Sequence, residues 1–307
     1  MKKLIFFIAS AGILASCNNA PKEAGQKFVI GFSQCNSSEP WRETMNKEMM
    51  KEAALHPELE LIISDAQQDN STQVADVENF IVKEIDLLII SPNEAQPLTA
   101  VVEKAFQKNI PVIVVDRKIL SENYTVFIGA DNVKIGMEAG MFAAKLLNGK
   151  GKVVEISGLK GSTPAMERHD GFMKGIAGHP EIEIIYEQDG AWLRGKGHDI
   201  MENALQRLEK IDLVYGHNDP MAQGAYIAAK NAHREKEIFF IGIDGLPGAE
   251  GGAQAVLNSE LNATFVYPTG GKEAILCALR IMNKEQVDKK ITLNTAAIDS
   301  TNAKEFL

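Results

Sequence analysis

Cysteine is scarce in this chain of 307 residues: three in all, at positions 17, 35 and 277, with no C-x-x-C pair and no Cys/His grouping at zinc-site spacing. A disulfide framework and a structural zinc site are therefore excluded as the basis of the fold. One bond between Cys35 and Cys277 stays open for an oxidising compartment, beside the plainer case of two buried thiols. No block of Lys or Arg stands out and the net charge is −9, which argues against nucleic acid or an anionic membrane surface as the main partner. Catalytic signatures are missing as well. There is no G-x-S-x-G elbow, no H-E-x-x-H and no Walker loop, and the first strand–helix turn, GFSQCNSSEPW, lacks the Gly-x-Gly of a dinucleotide site. No cofactor is implied. Tryptophan occurs only twice, as Trp41 and Trp192.

What is there, 45% hydrophobic and 24% charged residues, is the composition of a soluble globular protein, long enough for one large domain or two ordinary ones. The N-terminus is set apart. Lys2 and Lys3 precede an apolar run from Leu4 to Leu14, too short to span a bilayer and typical of a secretory signal. The run leads into LASC, which resembles a lipoprotein box. On that reading residues 1–16 are a signal peptide, Cys17 carries a lipid and residues 17–27 are a polar tether. The expectation is a globular body in the periplasm, touching a bacterial membrane only through its lipid anchor. An ordinary signal peptide with an incidental cysteine is the alternative.

Short aliphatic runs then recur at 27–34, 59–67, 86–94, 111–118 and 124–132, with helical periodicity between them. In NSTQVADVENFIVKEI, Val74, Val77, Ile81 and Ile85 share a face and Asn70 or Ser71 offers a cap; Pro97 suits the first turn of the next helix. Strand, helix, strand at this spacing means a parallel sheet covered on both faces. The rhythm restarts with strands at 152–158, 181–192, 212–219, 238–245 and 261–269, and with helices beginning at STPAMERHDGF, MENALQRL and DPMAQGAYIAAKNA. The fold class is α/β: two doubly wound parallel-sheet lobes in succession, without a long linker and hence sharing a cleft.

In such sheets the ligand lies beyond the carboxyl ends of the strands. There the sequence places Trp41 and Arg42, Asp116 and Arg117, Asn132, Trp192, Asn218, Asp244 and Tyr267. Carboxylates, carboxamides and guanidinium groups each hold adjacent hydroxyls, and indole faces pack on the C–H faces of sugar rings. The set suits a sugar. Each member also has a plainer reading. Asp116 could cap a turn, Asn218-Asp219-Pro220 could simply start a helix, Asp244-Gly245 could be a turn, and both tryptophans could be core at a lobe edge. GLKGST at 158–163 follows a strand, as phosphate loops do, but has no Lys in the required place. His169 and His217 fall near cleft positions, His169 on the exposed side of a helix, and neither has a nucleophile to pair with by spacing. Paired acids keep a sugar hydrolase or isomerase as an alternative.

In order and spacing, PVIVVDRK, IGADNVKIG, STPAMERHDGF, VYGHNDPMAQGA, FIGIDGLPGAEGG and NATFVYPTGG resemble the periplasmic sugar-binding proteins of the ribose-binding type, relatives of the sugar-responsive repressor effector domains. The likeness runs from Phe28 to about Thr295. It implies a type I periplasmic binding protein with lobes of 28–130 plus 268–293 and 131–267 plus 294–307, joined by three hinge crossings. It implies non-enzymatic binding of a monosaccharide, with a membrane permease as partner. By position it assigns sugar contacts to Trp41, Asp116, Arg117, Asn132, Arg168, Trp192, Asn218, Asp244 and Tyr267; Arg42 joins them beside Trp41. Ribose-type members carry two phenylalanines where this chain has Trp41-Arg42, an arginine where it has Met166 and a glutamine where it has Tyr267. Those departures point away from ribose. GFSQ followed by WR is more similar to members that bind furanose forms of hexoses, including galactofuranose-binding proteins and fructose-sensing domains. DSTN in the tail resembles the sensor domains of hybrid two-component kinases, which makes a sensor kinase the alternative partner.

Overall fold

The structure, a computed structural model, describes residues 27–307. The signal peptide, Cys17 and all but the end of the tether lie outside the described residues.

The first sheet is built from β1 (Phe28–Gln34), β2 (Leu59–Asp65), β3 (Leu87–Ser91), β4 (Val112–Val115) and β5 (Val126–Ala130), with α1 (Pro40–Ala53), α2 (Asn70–Val82) and α3 (Ala95–Gln107) as crossovers. Every residue of β3, β4 and β5 is buried, as aliphatic runs covered on both faces require. After α4 (Asn132–Leu146) the second sheet begins: β6 (Lys150–Ser157), β7 (Glu181–Asp189), β8 (Leu213–Gly216), β9 (Phe239–Ile241) and β10 (Ala263–Phe265), alternating with α5 (Thr163–Ile176), α6 (Arg194–Arg207), α7 (Asp219–Asn231) and α8 (Gly252–Leu257). The chain then passes through α9 (Gly271–Met282) to β11 (Lys290–Leu293) and ends with β12 (Ala297–Asp299) and a short 3-10 turn. The two sheets run β11-β5-β4-β3-β1-β2 and β12-β10-β9-β8-β6-β7. All pairings are parallel except β12, which lies antiparallel on β10. The chain therefore changes sheet after β5, after β10 and after β11.

Three local expectations shift. The cap of α2 is Asp69, whose carboxylate accepts from Thr72 N at 2.6 Å, and Ile85 is buried but lies past the helix end. α6 starts at Arg194 and not at Met201; its first turns, RGKGHDI, are polar with two glycines and carry no apolar rhythm. Gly197 is needed there, since a Cβ would lie 2.4 Å from Met221 O of α7. The strand expected at 261–269 contracts to β10, because the residues after Phe265 form the crossing back to the first sheet.

A close helix pair sets the entrance to the second lobe. α4 and α5 cross so tightly that a Cβ on Gly136 would stand 2.3 Å from Arg168 O. Asn132 and Arg168 are thereby brought together. Cys35 and Cys277 are free, buried thiols. No helix among the described residues is long and apolar enough to cross a membrane.

Candidate functional site

The carboxyl ends of both sheets meet around a cavity of about 290 Å³ lined by Trp41, Arg42, Asp116, Arg117, Arg168, Trp192, Asn218, Asp244 and Tyr267, with Glu39 and Pro164 completing the wall. Of the residues expected from sequence only Asn132 stands behind the wall, where its Oδ1 accepts from Arg168 Nε at 2.8 Å. Glu39 follows a strand end as Trp41 and Arg42 do, but the resemblance assigns it no contact, and immediately before Pro40 it reads as an ordinary helix-start acid. The lobes touch around the cavity. Ala95 N donates to Gly161 O at 3.0 Å, Lys118 N to Thr163 Oγ1 at 2.9 Å and Gln68 Nε2 to Ala191 O at 3.4 Å.

Asp116 follows β4 in the left-handed region, at φ +66°, and Trp192 follows β7 at φ +70°. Asp tolerates this conformation, but a bulky Trp does not, and strain of that kind gathers where a side chain must be aimed. The Asp116 carboxylate is largely occupied by the protein itself. Oδ2 accepts from Arg42 Nη2 at 2.6 Å and Ser91 Oγ at 3.0 Å, and Oδ1 from Tyr267 Oη at 2.7 Å. Burial pushes this acid up, but the guanidinium groups of Arg42 and Arg117 outweigh it and hold the carboxyl below its usual range. The turn-cap reading does not apply, for both carboxylate oxygens accept from side chains and, among the described residues, from no backbone N–H.

Arg117 Nη1 donates to Asn93 O at 2.8 Å, while its buried Nε has no hydrogen-bond partner among the described residues. The indole Nε1 of Trp192 is also buried without one. Trp192 lies flat against Gly158, where a Cβ would stand 2.1 Å from the ring, and under the guanidinium groups of Arg117 and Arg168 at 5.5 and 5.4 Å. On the opposite wall, Trp41 stacks on Tyr267 at 5.2 Å and donates from Nε1 to Tyr267 O at 2.7 Å. Asn218 caps α7 through Oδ1 and donates from Nδ2 to Trp192 O at 3.0 Å, so its helix-start role and its place in the wall coexist.

Two acids keep acceptor capacity facing the cavity. No hydrogen bond among the described residues reaches the Asp244 carboxylate, and burial together with the neighbouring Asp219 raises it well above the carboxylate range. Glu39 accepts from Asn36 at 3.1 Å and Gln68 at 3.4 Å through one oxygen only, and burial raises it despite Arg42 and Arg117.

The remaining sequence candidates do other things. GLKGST is a lobe-contact loop: a Cβ on Gly161 would sit 1.8 Å from Glu94 Oε2, so a carboxylate occupies the place where a phosphate cradle would need its anion. His169 and His217 do not line the cavity; both bond the buried Glu155 behind it.

A closed cleft at the strand ends of two parallel-sheet lobes, walled by indoles and planar polar groups, is the build of a periplasmic binding protein. The chain belongs to that family: residues 30–286 match the model of the periplasmic binding protein domain. It is 32% identical over 304 residues to the ribose import binding protein of Bacillus subtilis, covering 95% of this chain and 97% of that one. It is 34% identical over 281 residues to the galactofuranose-binding protein of Escherichia coli, covering 88% and 87%. Among solved structures it resembles the fructose-binding periplasmic domain of a hybrid two-component system, with TM-score 0.88, 51% identity and coverage of 91% and 92%.

Proposed function

We propose that the cleft binds one monosaccharide, in the periplasm and without chemical turnover, and that a furanose form of a hexose is the preferred shape. The observation that carries this is the wall itself. Arg117 and Trp192 hold buried donors without partners, while Asp244 and Glu39 hold open acceptors on the same cavity. A ligand whose hydroxyls both give and take answers both needs at once. Arg42 is paired with Asp116, while Asp244, kept protonated by burial and by Asp219, can both donate to and accept from a hydroxyl. The galactofuranose-binding relative and the fructose-binding structural neighbour support the choice of sugar. The proposed site residues are Trp41, Arg42, Asp116, Arg117, Arg168, Trp192, Asn218, Asp244 and Tyr267, with Glu39 added and Asn132 acting from behind the wall through Arg168.

Closure is then driven by contacts that exist only when both lobes hold the sugar, and the closed form is what a partner recognises. Two partners fit: a permease, as for import binding proteins, or a sensor kinase. The 51% identity to a sensor domain favours the second. Cys17, outside the described residues, is the proposed lipid attachment; Cys17→Ser should abolish incorporation of labelled fatty acid. Titrating D-fructose, D-galactose and D-ribose while following tryptophan emission tests the binding reading. Silence across pentoses and hexoses would sink it, and conversion of a bound sugar seen by NMR would turn it into an enzyme.

A further inference from the structure

Behind the cleft, beneath the second sheet's carboxyl end, lies a buried polar group that the sugar-binding reading leaves unused. Glu155 on β6 and His217 after β8 are both fully buried, and neither lines the cavity. The His217 ring is held at both nitrogens. Nδ1 accepts from the backbone N–H of Gly158 at 3.2 Å, and Nε2 lies 2.8 Å from Glu155 Oε1. A backbone amide can only donate, so Nδ1 must be bare and Nε2 must carry the proton it gives to Glu155. The tautomer is fixed by this geometry. Burial also keeps the ring neutral, pushing the imidazole below its ordinary range.

What His217 touches beyond that ring is the cleft wall. Its carbonyl accepts from Arg168 Nη1, the guanidinium that lies over the rings of Trp192 and Tyr267. Its ring stands 6.5 Å from that of Trp192, and Gly158, which it anchors, is the residue on which the indole rests. We propose that Glu155 and His217 are positioning residues for sugar binding: the carboxylate orients the imidazole, the imidazole fixes Gly158, and the main chain held with it presents the carbonyl that Arg168 binds, so that the indole and the guanidinium are set before the sugar arrives. This rests on the reading of the cleft as a sugar site. His169 is a separate, outward neighbour. Its Nδ1 lies 3.0 Å from each Glu155 oxygen and its side chain is 37% exposed, so it shields the carboxylate from outside without touching the wall. Preset donors matter because an interaction made with groups already in place loses no ordering entropy on binding.

The experiment compares Glu155→Gln, Glu155→Ala and His169→Gln in the purified protein, with two readouts. The first is the indole N–H resonance of Trp192 without sugar. The second is affinity for whichever of D-fructose, D-galactose and D-ribose binds the wild type. Glu155→Gln keeps an acceptor for the His217 N–H, so the resonance and an affinity within about twofold of wild type are expected. Glu155→Ala removes it, and a shifted or broadened resonance with at least about a tenfold loss of affinity is expected. His169→Gln should leave both unchanged. The proposal is overturned by a folded Glu155→Ala protein with wild-type resonance and affinity, by a Glu155→Gln protein that loses as much as the alanine variant, or by His169→Gln reproducing that loss. Should the alanine variant not fold, His217→Phe, which keeps a ring but neither nitrogen, takes its place: the same shifted resonance and loss of affinity are expected, and wild-type behaviour overturns the proposal. If no sugar binds the wild type, the cleft reading fails, and the resonance arm still judges the positioning.

Discussion

Tyr267 Oη donates to Asp116 Oδ1 at 2.7 Å, joining the crossing between the lobes to the end of β4. With Arg42 on the other oxygen, Asp116 is a hub inside the protein before it is a partner for any ligand. Asp116→Ala therefore removes the counter-charge of a fully buried guanidinium. Breaking such a pair from one side costs about 3–5 kcal/mol, and the urea midpoint should fall accordingly with sugar binding lost. Adding Arg42→Met to that background should recover much of the stability and none of the binding. A single variant with wild-type stability would show that Arg42 finds another acceptor.

Arg117 behaves oppositely, although it is the next residue. Among the described residues only Asn93 O accepts a hydrogen bond from it, and Arg42 already neutralises Asp116 at 2.6 Å against 3.6 Å for Arg117 Nε. Arg117→Ala should lower stability by no more than about 2 kcal/mol while reducing sugar affinity at least about a hundredfold. Calorimetric titration beside a melting curve separates the two effects. Unchanged affinity would take Arg117 out of the site.

The different weights of these neighbours were not legible in VVDRK. The sequence places both at a strand end, since four aliphatic residues in a row demand a buried strand and two charges cannot continue it. Which charge the protein satisfies itself depends on Ser91, Arg42 and Tyr267, which come from three other places in the chain. The strand rhythm and the strand-end residues were readable because parallel strands and their ends leave local patterns. Glu39 shares the strand-end position, but an acid before Pro40 has a sufficient local explanation and so carries no signal of its own. The opening turns of α6 hold no apolar period, so the sequence pattern shows only its later part; the crossing at Gly197 that forms them is set by Met221 on another helix.

Gly158 carries the indole of Trp192, and a Cβ there would stand 2.1 Å from a rigid ring atom. Gly158→Ala must move the indole, since the clash is with the ring and not with a flexible chain end. Overpacking of this kind costs about 1–3 kcal/mol. Tryptophan emission without sugar should shift, and affinity should fall about tenfold through loss of the aligned face. An unchanged emission spectrum would mean that the backbone at 158 gives way in place of the ring.

The last expectation concerns pH and a carboxyl behind Asp244. Asp219 Oδ2 accepts from Gly245 N at 2.8 Å, while its buried Oδ1 has no hydrogen-bond partner among the described residues. Burial pushes this acid up to about 6, against the pull of Thr264, Gly245 and Arg168. A carboxyl raised in the folded state holds a proton that the unfolded chain has already released. Stability contributed by that proton is present at low pH and is lost as pH rises from the ordinary aspartate range through about 6. Asp219→Asn removes the titration while leaving an acceptor for Gly245 N. Measured by urea unfolding in steps from about pH 4 to about pH 7.5, the stability of the variant relative to wild type should climb across that window and level off above it, by at most a few kcal/mol. A difference that stays flat with pH would place the folded-state ionisation of Asp219 back in the ordinary aspartate range.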